Sequence, residues 1–314
     1  MMAQVEIITP EDQATWHLLR GKDITASVVG ALFGEHEYVT EFELWAMKTG
    51  RLKRHYEETP AMQRGRLLEP VAVQLLKEQF PKWRIDHNAA ENRYYRDPAA
   101  RLGATPDVIV DARGKGRGVI QIKSVEASIY RRKWLDDDGQ PEPPLWIALQ
   151  AALEAHLTNS VWAAVAPLVI GHGIDLPLID IPLVPGIIEA MQTRAAEFWE
   201  MVEAGEEPTP RYSRDASVID RIYAVEDDET EVDLTANNFF PELLEERAGL
   251  QADIFTKKNR IEEIDALIKA TMGNAAVAHI PGGRRITWRT ESRPGGFTAP
   301  SKSRVLRLPK GFDQ

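Results

Sequence analysis

Three polar residues in the middle of the chain have the types and the spacing that phosphate-ester chemistry needs. Asp107 follows a proline and opens an expected strand, and Gln121 and Lys123 lie two residues apart on the next strand. Because strand side chains alternate between faces, Gln121 and Lys123 point to the same side. A tight reversal between the strands would bring Asp107 beside them. A carboxylate, an amide oxygen and an ammonium around one point suit Mg²⁺ and a positioned water, as hydrolysis of a phosphodiester requires.

The same residues also have ordinary structural explanations. A Pro-Asp pair before a strand is common turn chemistry. A polar residue two positions before a lysine often marks the solvated face of a strand. The pattern therefore needs support from the rest of the chain.

The surrounding elements are those that would position these residues. Strands are predicted over residues 107–111 and 118–124, and the glycine-rich segment between them predicts a hairpin. Ile120 and Ile122 are expected to face the core. Helices are predicted over 61–80 and 144–157, with a kink or restart where Pro70 interrupts the first of them.

Composition limits the function classes. The chain has 314 residues, a formal net charge of −10 and no cysteine, which excludes disulfides, cysteine nucleophiles and iron–sulfur clusters. We expect no secretory signal, no membrane span and a cytoplasmic location. Acidic residues concentrate late in the chain, whereas residues 51–133 are richer in arginine and lysine. This distribution is compatible with local binding of nucleic acid.

The chain divides into three regions by composition. Residues 1–207 are expected to form the core, residues 208–235 an acidic, proline-containing linker, and residues 236–314 an accessory region. The last region contains a charged helical pattern over 241–272 and short predicted strands at 276–280, 284–290 and 304–308. The apolar stripe of that helix predicts a packing or oligomer surface.

These motifs together resemble the lambda exonuclease or YqaJ-like viral recombinase nucleases of the PD-(D/E)XK superfamily. The resemblance covers roughly residues 19–204, and its most specific block is Leu-Gly-Ala-Thr-Pro-Asp107. The other blocks are Arg20 with Ser27, Gly-Arg-Leu-Leu-Glu69, Gln121-Ile-Lys123, and Gln150. The resemblance implies an α/β, restriction-endonuclease-like core, a mixed central sheet flanked by helices, followed by a C-terminal helical and short β extension.

The resemblance also implies a metal site. Asp107, the Gln121 carbonyl, the Ile122 backbone carbonyl and Glu69 would hold Mg²⁺, for which Mn²⁺ is a substitute. The alternative for Glu69 is a solvated helix residue. The seven histidines show no ligand spacing, and none is assigned a role.

Four further residues receive roles from the same resemblance. Lys123 would orient the attacking water, and Gln150 would hold that water or the lysine by a hydrogen bond. Arg20 and Ser27 would grip a terminal 5′ phosphate. The structural alternatives are a surface position for Gln150, a salt bridge for Arg20 and a helix cap for Ser27.

The sequence departs from the family pattern at two positions. Gln121 stands where the family usually has Glu, so a metal ligand there would bring no charge. Val108 stands where a glycine often follows the aspartate. The function implied is a Mg²⁺-dependent deoxyribonuclease, a 5′–3′ exonuclease that resects linear duplex DNA for phage-type recombination. The alternative is a catalytically weakened DNA-end-binding or assembly protein with the same fold.

The resemblance extends to partners. It implies a homo-oligomer, a trimer, acting on linear double-stranded DNA, and a single-strand annealing protein as partner. It also implies a phage or prophage origin and the cytoplasm of a bacterial host as the location.

Overall fold

A computed structural model of the chain describes residues 5–52, 58–227, 230–281 and 284–289. It contains two compact units, Met1–Ile222 and Tyr223–Gln314. The first unit contains all the residues that the sequence assigns to a site.

Strands and helices are numbered in chain order. The strands are β1 Glu6–Ile8, β2 Ile24–Thr25, β3 Arg84–His87, β4 Tyr94–Asp97, β5 Leu102–Ala104, β6 Val108–Ala112, β7 Gly116–Glu126, β8 Trp162–Ile170, β9 Ile174–Asp175, β10 Ile179–Ile181, β11 Val277–Ile280 and β12 Arg284–Thr287. The helices are α1 Gln13–Lys22, α2 Glu41–Lys48, α3 Pro60–Gln79, α4 Ala127–Lys133, α5 Leu145–Leu157, α6 Ile187–Ala204, α7 Tyr212–Ile222 and α8 Phe239–Met272. Two 3₁₀ helices span Ala26–Phe33 and Asn88–Ala90.

The larger sheet has the order β10-β8-β7-β6-β3, with β9 also paired to β8. β7 and β8 are parallel, and the other pairs are antiparallel. The parallel pair requires a crossover, and α5 lies within that connection. The predicted fold class, a mixed sheet flanked by helices, is confirmed.

The two faces of β7 pack against different helices. Ile120 and Ile122 join a buried cluster with residues of α3. Val119 joins a separate cluster with residues of α5. Because side chains alternate along the strand, Gln121 and Lys123 lie on the α5 face. The prediction that the two isoleucines face a core is confirmed.

A smaller sheet has the order β1-β4-β5-β2. Its strands are two to four residues long, and β2 pairs in parallel with β5 from far along the chain. The sequence pattern predicts a strand over residues 93–95, which overlaps only part of β4, and predicts none of the other three. Strands this short have too few residues to show an alternation of apolar and polar side chains.

Helix α3 begins at Pro60, is capped by the Thr59 side chain, and contains Pro70 without interruption. The expected restart near Glu69 is therefore wrong. Pro70 is exposed, so water can bond the carbonyl that its missing N–H leaves free. The adjoining apolar side chains Ala72, Val73 and Leu76 are buried against the sheet and hold the helix in place.

The segment predicted as a linker begins with a helix. Asp215 of α7 is fully buried and accepts hydrogen bonds from the Thr40 hydroxyl at 2.5 Å and the Arg211 backbone N–H at 2.7 Å. Thr40 is also the N-cap of α2, where its hydroxyl accepts a hydrogen bond from the Glu43 backbone N–H. A threonine followed three residues later by a glutamate is the sequence pattern of a capping box, which predicts this helix start. The first unit thus extends through Ile222 rather than ending at residue 207.

The second unit contains the long helix α8 and an antiparallel β11–β12 hairpin. Apolar side chains are exposed along α8, among them Leu250, Ile254, Ile261 and Leu267. The strand predicted at 304–308 lies outside the described residues. Among the helices that the structure describes, none combines the length and the apolar character needed to cross a bilayer.

Candidate active site

The β6–β7 hairpin brings Asp107 and Gln121 together. The antiparallel register pairs Val108 with Ile120, so Asp107 lies opposite Gln121 across the strands. Asp107 Oδ2 accepts hydrogen bonds from the Ile122 backbone N–H at 2.8 Å and from Gln121 Nε2 at 2.5 Å. The hairpin therefore fixes the carboxylate on the α5 face of the sheet, immediately before the start of β6.

Helix α5 supplies the contacts of the lysine. Lys123 Nζ donates to Gln150 Oε1 at 3.0 Å, and Gln150 Nε2 donates to Glu154 Oε1 at 2.9 Å. Gln150 and Glu154 are buried, whereas Lys123 is half-buried and its Nζ lies 5.6 Å from the centre of the Trp146 ring. The surface alternative for Gln150 is thus wrong, and the lysine is held from the α5 side.

Helix α3 brings Glu69 near the same point. Its Oε1 shares a hydrogen bond of 2.7 Å with Nε2 of His87, the last residue of β3. The solvated alternative for Glu69 does not hold, because the side chain is only 25% exposed. His87 lies here although the sequence gave it no role.

The carboxylates of this region act on each other electrostatically. Burial raises the pKa of Asp107 to about 7, and the charge of Glu69 adds to the rise, whereas Lys123 and the Ile122 N–H oppose it. Burial raises the pKa of Glu154 to about 8, and the charge of Asp107 adds to that rise. Three acidic groups close to a single lysine make a site in which an added cation would relieve repulsion.

The donor atoms fit a hard cation. Asp107 supplies a carboxylate and Ile122 a backbone carbonyl, and Gln121 Oε1 is buried without a hydrogen-bond partner among the described residues. Such oxygens are the ligands that Mg²⁺ prefers. No group of three His, Cys, Asp or Glu side chains in the described ranges is arranged to hold an ion alone. The Gln121 and Ile122 oxygens are therefore essential to any such site, with Glu69 close enough to act through its charge.

Arg20 and Ser27 also lie together. Arg20 Nη2 donates to the Ser27 hydroxyl at 2.9 Å, and the Thr25 hydroxyl lies 3.1 Å from the same oxygen. Ser27 lies inside the first 3₁₀ helix, whose N-cap is Thr25, so the capping alternative for Ser27 is wrong. A guanidinium beside two hydroxyls can bind a phosphate.

Trp16 connects this pair to the Asp107 loop. The Arg20 guanidinium lies 4.4 Å from the centre of the Trp16 ring, and Trp16 Nε1 donates to the Thr105 hydroxyl at 3.0 Å. Thr105 is two residues before Asp107. The positive charge of Arg20 also opposes the rise in the pKa of Glu154, which brings the Arg20 pair into the electrostatic range of the same site.

Known proteins are similar to this part of the chain. Residues 15–160 match the family model of the YqaJ-like viral recombinase domain, which spans Arg20, the hairpin and Gln150. This part of the chain is similar to YqaJ-like viral recombinase domains. The family that the sequence motifs indicated is thereby confirmed. No curated protein matches the chain.

Several solved structures are similar to the recombinase domain and its surroundings. The alkaline exonuclease LHK-Exo of Laribacter hongkongensis is 20% identical, covers 66% of this chain and 100% of its own, and gives a TM-score of 0.47. Its complex with dAMP gives 19% identity, coverages of 64% and 96%, and a TM-score of 0.42. A SOX–DNA complex gives 11% identity, coverages of 64% and 70%, and a TM-score of 0.38.

Sequence reasoning missed Glu154 in the recombinase domain. It lies in the alanine-rich helix on which a surface position was the alternative for Gln150. The signal was present: Glu154 is the one acidic residue between Leu145 and Leu157. An acid in a helix that is otherwise apolar on most sides must be buried or paired.

Proposed function

We propose that the chain is a Mg²⁺-dependent deoxyribonuclease that degrades linear double-stranded DNA from its ends, in the 5′–3′ direction. One observation carries the proposal: a carboxylate, two neutral oxygens and a lysine converge at the β6–β7 hairpin and α5. The recombinase-domain match supports a role in DNA recombination. The charge of Lys123 also acts on the buried Asp107, which favours a chemical role for the pair over a purely structural one.

The donor set suggests the division of roles. Asp107, Gln121 Oε1 and the Ile122 carbonyl would hold Mg²⁺, with Glu69 acting directly or through water, and Mn²⁺ would substitute. When bound, the ion would supply Lewis-acid polarisation of the phosphate. Lys123, held by Gln150, would orient the attacking water and offset negative charge on the phosphate.

The Arg20–Ser27 pair supplies end recognition in this proposal. A terminal 5′ phosphate would replace the internal hydrogen bond between the two side chains, with the guanidinium as a charged fork. Binding the end in this way would place the terminal nucleotide toward the hairpin. The partners proposed are linear duplex DNA and a single-strand annealing protein, with a trimeric homo-oligomer formed by the core and a bacterial host cytoplasm as the location.

A second candidate function is favoured by one specific contact. Gln121 Nε2 donates to Asp107 Oδ2, so the amide occupies the carboxylate with a hydrogen bond and brings no charge of its own. The Gln121 amide would have to turn for its oxygen to face an ion. A catalytically weakened protein that binds DNA ends through Arg20 and Ser27 would keep the amide as it is.

The two functions separate in one experiment. Linear duplex DNA and a covalently closed circle are incubated with the protein and Mg²⁺, with EDTA as the metal-free control, and end binding is measured in parallel. The exonuclease predicts metal-dependent release of nucleotides from the linear form alone. Tight end binding with no release at any Mg²⁺ or Mn²⁺ concentration would establish the second function instead.

A further inference from the structure

Glu154 is a buried acid without an assigned role. It lies on α5, its side chain is 1% exposed, and residues Ala151, Leu153 and Ala155 around it are buried and apolar. Burying an ionisable group costs free energy unless it is compensated. An ionisable side chain buried in an apolar helix therefore needs contacts that compensate this cost.

The side chain of Glu154 has one hydrogen-bond partner among the described residues. Its Oε1 accepts from Gln150 Nε2 at 2.9 Å, and its Oε2 is buried with no partner in that part of the chain. Gln150 in turn accepts from Lys123 Nζ at 3.0 Å. The position of Glu154 is thus coupled to Gln150 and, through it, to Lys123.

The chemistry of the three groups permits a single order of hydrogen bonds. A lysine ammonium only donates, and a glutamate oxygen can accept in either protonation state. The amide between them must therefore present its oxygen to Lys123 and its NH₂ to Glu154. Without an acceptor at position 154, the amide could rotate and present NH₂ to the ammonium, and the lysine would lose its hydrogen-bond partner.

The topology places this contact next to the proposed reacting atoms. The β7–α5–β8 crossover joins parallel strands, so α5 runs back against the direction of β7. Gln150 contacts Lys123, and the next helical turn carries Glu154 toward Gln121 and Asp107. The charges that act on Glu154 agree with this placement, since they are those of Asp107, Lys123 and Arg20.

We propose that Glu154 is a positioning residue that acts through Gln150: its carboxyl group fixes the amide orientation that holds Lys123 in place. The inference rests on the proposed nuclease function for its consequence, but the hydrogen-bond order itself does not. If Glu154 were merely structural, replacing it with an apolar residue of similar size should not lower the cleavage rate. Such a residue would suit this buried position better.

The test is a double-mutant cycle on the full chain. Single-turnover cleavage of linear duplex DNA at saturating Mg²⁺ is measured for Glu154→Leu, Gln150→Ala and the double variant. Glu200→Gln, at an exposed position of α6, is the matched control. We expect Glu154→Leu to lower the rate by on the order of tenfold to a hundredfold while DNA-end affinity stays unchanged. Glu154→Asp should restore part of the rate.

The cycle decides whether Glu154 acts through Gln150. In the Gln150→Ala background, Glu154→Leu should change the rate by less than about twofold, because the group it positions is gone. If each substitution instead lowered the cleavage rate by the same factor alone and in the double variant, the proposal would be overturned. An unchanged rate for Glu154→Leu in the wild-type background would overturn it as well.

A second measurement does not depend on cleavage. Exchange of the Gln150 side-chain NH₂ protons with solvent is followed by NMR, with the signal assigned from Gln150→Ala. We expect exchange at least about tenfold faster in Glu154→Leu than in the wild-type chain. Equal exchange would overturn the proposal whether or not the protein cuts DNA. Faster exchange in a chain that cuts no DNA would retain the positioning role and contradict the proposed function alone.

Discussion

The buried acid Glu154 makes the stability of the protein depend on pH. Its pKa rises from an ordinary 4.5 to about 8 in the folded chain. A group whose folded-state pKa is raised keeps more protons in the folded state than in the unfolded state. The stability of the metal-free protein therefore falls as pH rises from about 4.5 to about 8 and levels off above that.

The size of the effect follows from the pKa difference. Each unit of pKa is worth about 1.36 kcal/mol. Relative to acid pH, Glu154 lowers the free energy of unfolding by about 2 kcal/mol at pH 6 and by about 5 kcal/mol above pH 8. That upper figure is comparable to the whole stability of many domains. The pKa of Asp107 rises to about 7, so this residue also makes stability fall as pH rises.

The perturbation is Glu154→Gln, which removes the titration and keeps the shape. We expect the variant to gain stability relative to the wild-type chain as pH rises from about 5 to about 9, by several kcal/mol in total. The new NH₂ group adds a constant offset, so the change with pH is the signature. Urea unfolding in EDTA, followed by tryptophan fluorescence, measures it. Seven of the eight tryptophans lie before residue 200, so this signal reports the first unit.

Glu200→Gln, at an exposed position, should keep the wild-type slope at every pH. A constant difference in the free energy of unfolding between Glu154→Gln and the wild-type chain across the range would mean that Glu154 does not titrate there. The electrostatic account of the site would then be wrong.

Three further predictions concern the metal, the DNA end and the domain boundary. Gln121→Glu should lower the Mg²⁺ concentration that gives half-maximal cleavage, because a charged ligand replaces a neutral one; an unchanged requirement would exclude Gln121 as a ligand. Arg20→Ala should shrink the preference for 5′-phosphorylated over 5′-hydroxyl ends, measured as a ratio of initial rates; a retained preference would return Arg20 to a structural role. A chain ending at Ile222 should stay folded and keep its oligomeric state, as measured by its mass in solution. A chain ending at residue 207 lacks Asp215 and its hydrogen bonds, so its free energy of unfolding should fall by several kcal/mol. Equal stability of the two chains would contradict the boundary at Ile222.

The hairpin was predictable because its residues are local and periodic. The alternation of Ile120 and Ile122 with Gln121 and Lys123 determines which face each side chain occupies, and a tight reversal allows one register. The position of Asp107 beside Gln121 also depends on the length of the turn, which the alternation does not give and which the structure shows between Ala112 and Gly116.

Other parts of the fold depend on contacts between distant residues. The pairing of β2 with β5 joins segments far apart in the chain, and no short pattern encodes it. Helix α7 looked like part of a linker because prolines precede it and an acidic run follows it in the sequence. Its place in the fold depends on Asp215 reaching Thr40, far away in the chain. Pro70 did not break α3 because tertiary packing of the buried face outweighed one lost hydrogen bond.

Glu154 shows why part of the site escaped prediction. A single acid in an alanine-rich helix carries no motif, and its burial is visible only when α5 packs on β7 and the 3₁₀ helix before α2. His87 escaped for a similar reason, since its contact with Glu69 depends on the pairing of β3 with β6.

The central claim is that Asp107 and Lys123 together cleave DNA. The most direct test measures nucleotide release from a linear duplex in single turnovers by the wild-type chain, Asp107→Asn, Lys123→Met and the exposed control Lys77→Ala. We expect both site variants to lose roughly a hundredfold or more in rate while still binding DNA ends, and Lys77→Ala to match the wild-type chain. Wild-type rates in Asp107→Asn and Lys123→Met would contradict the account.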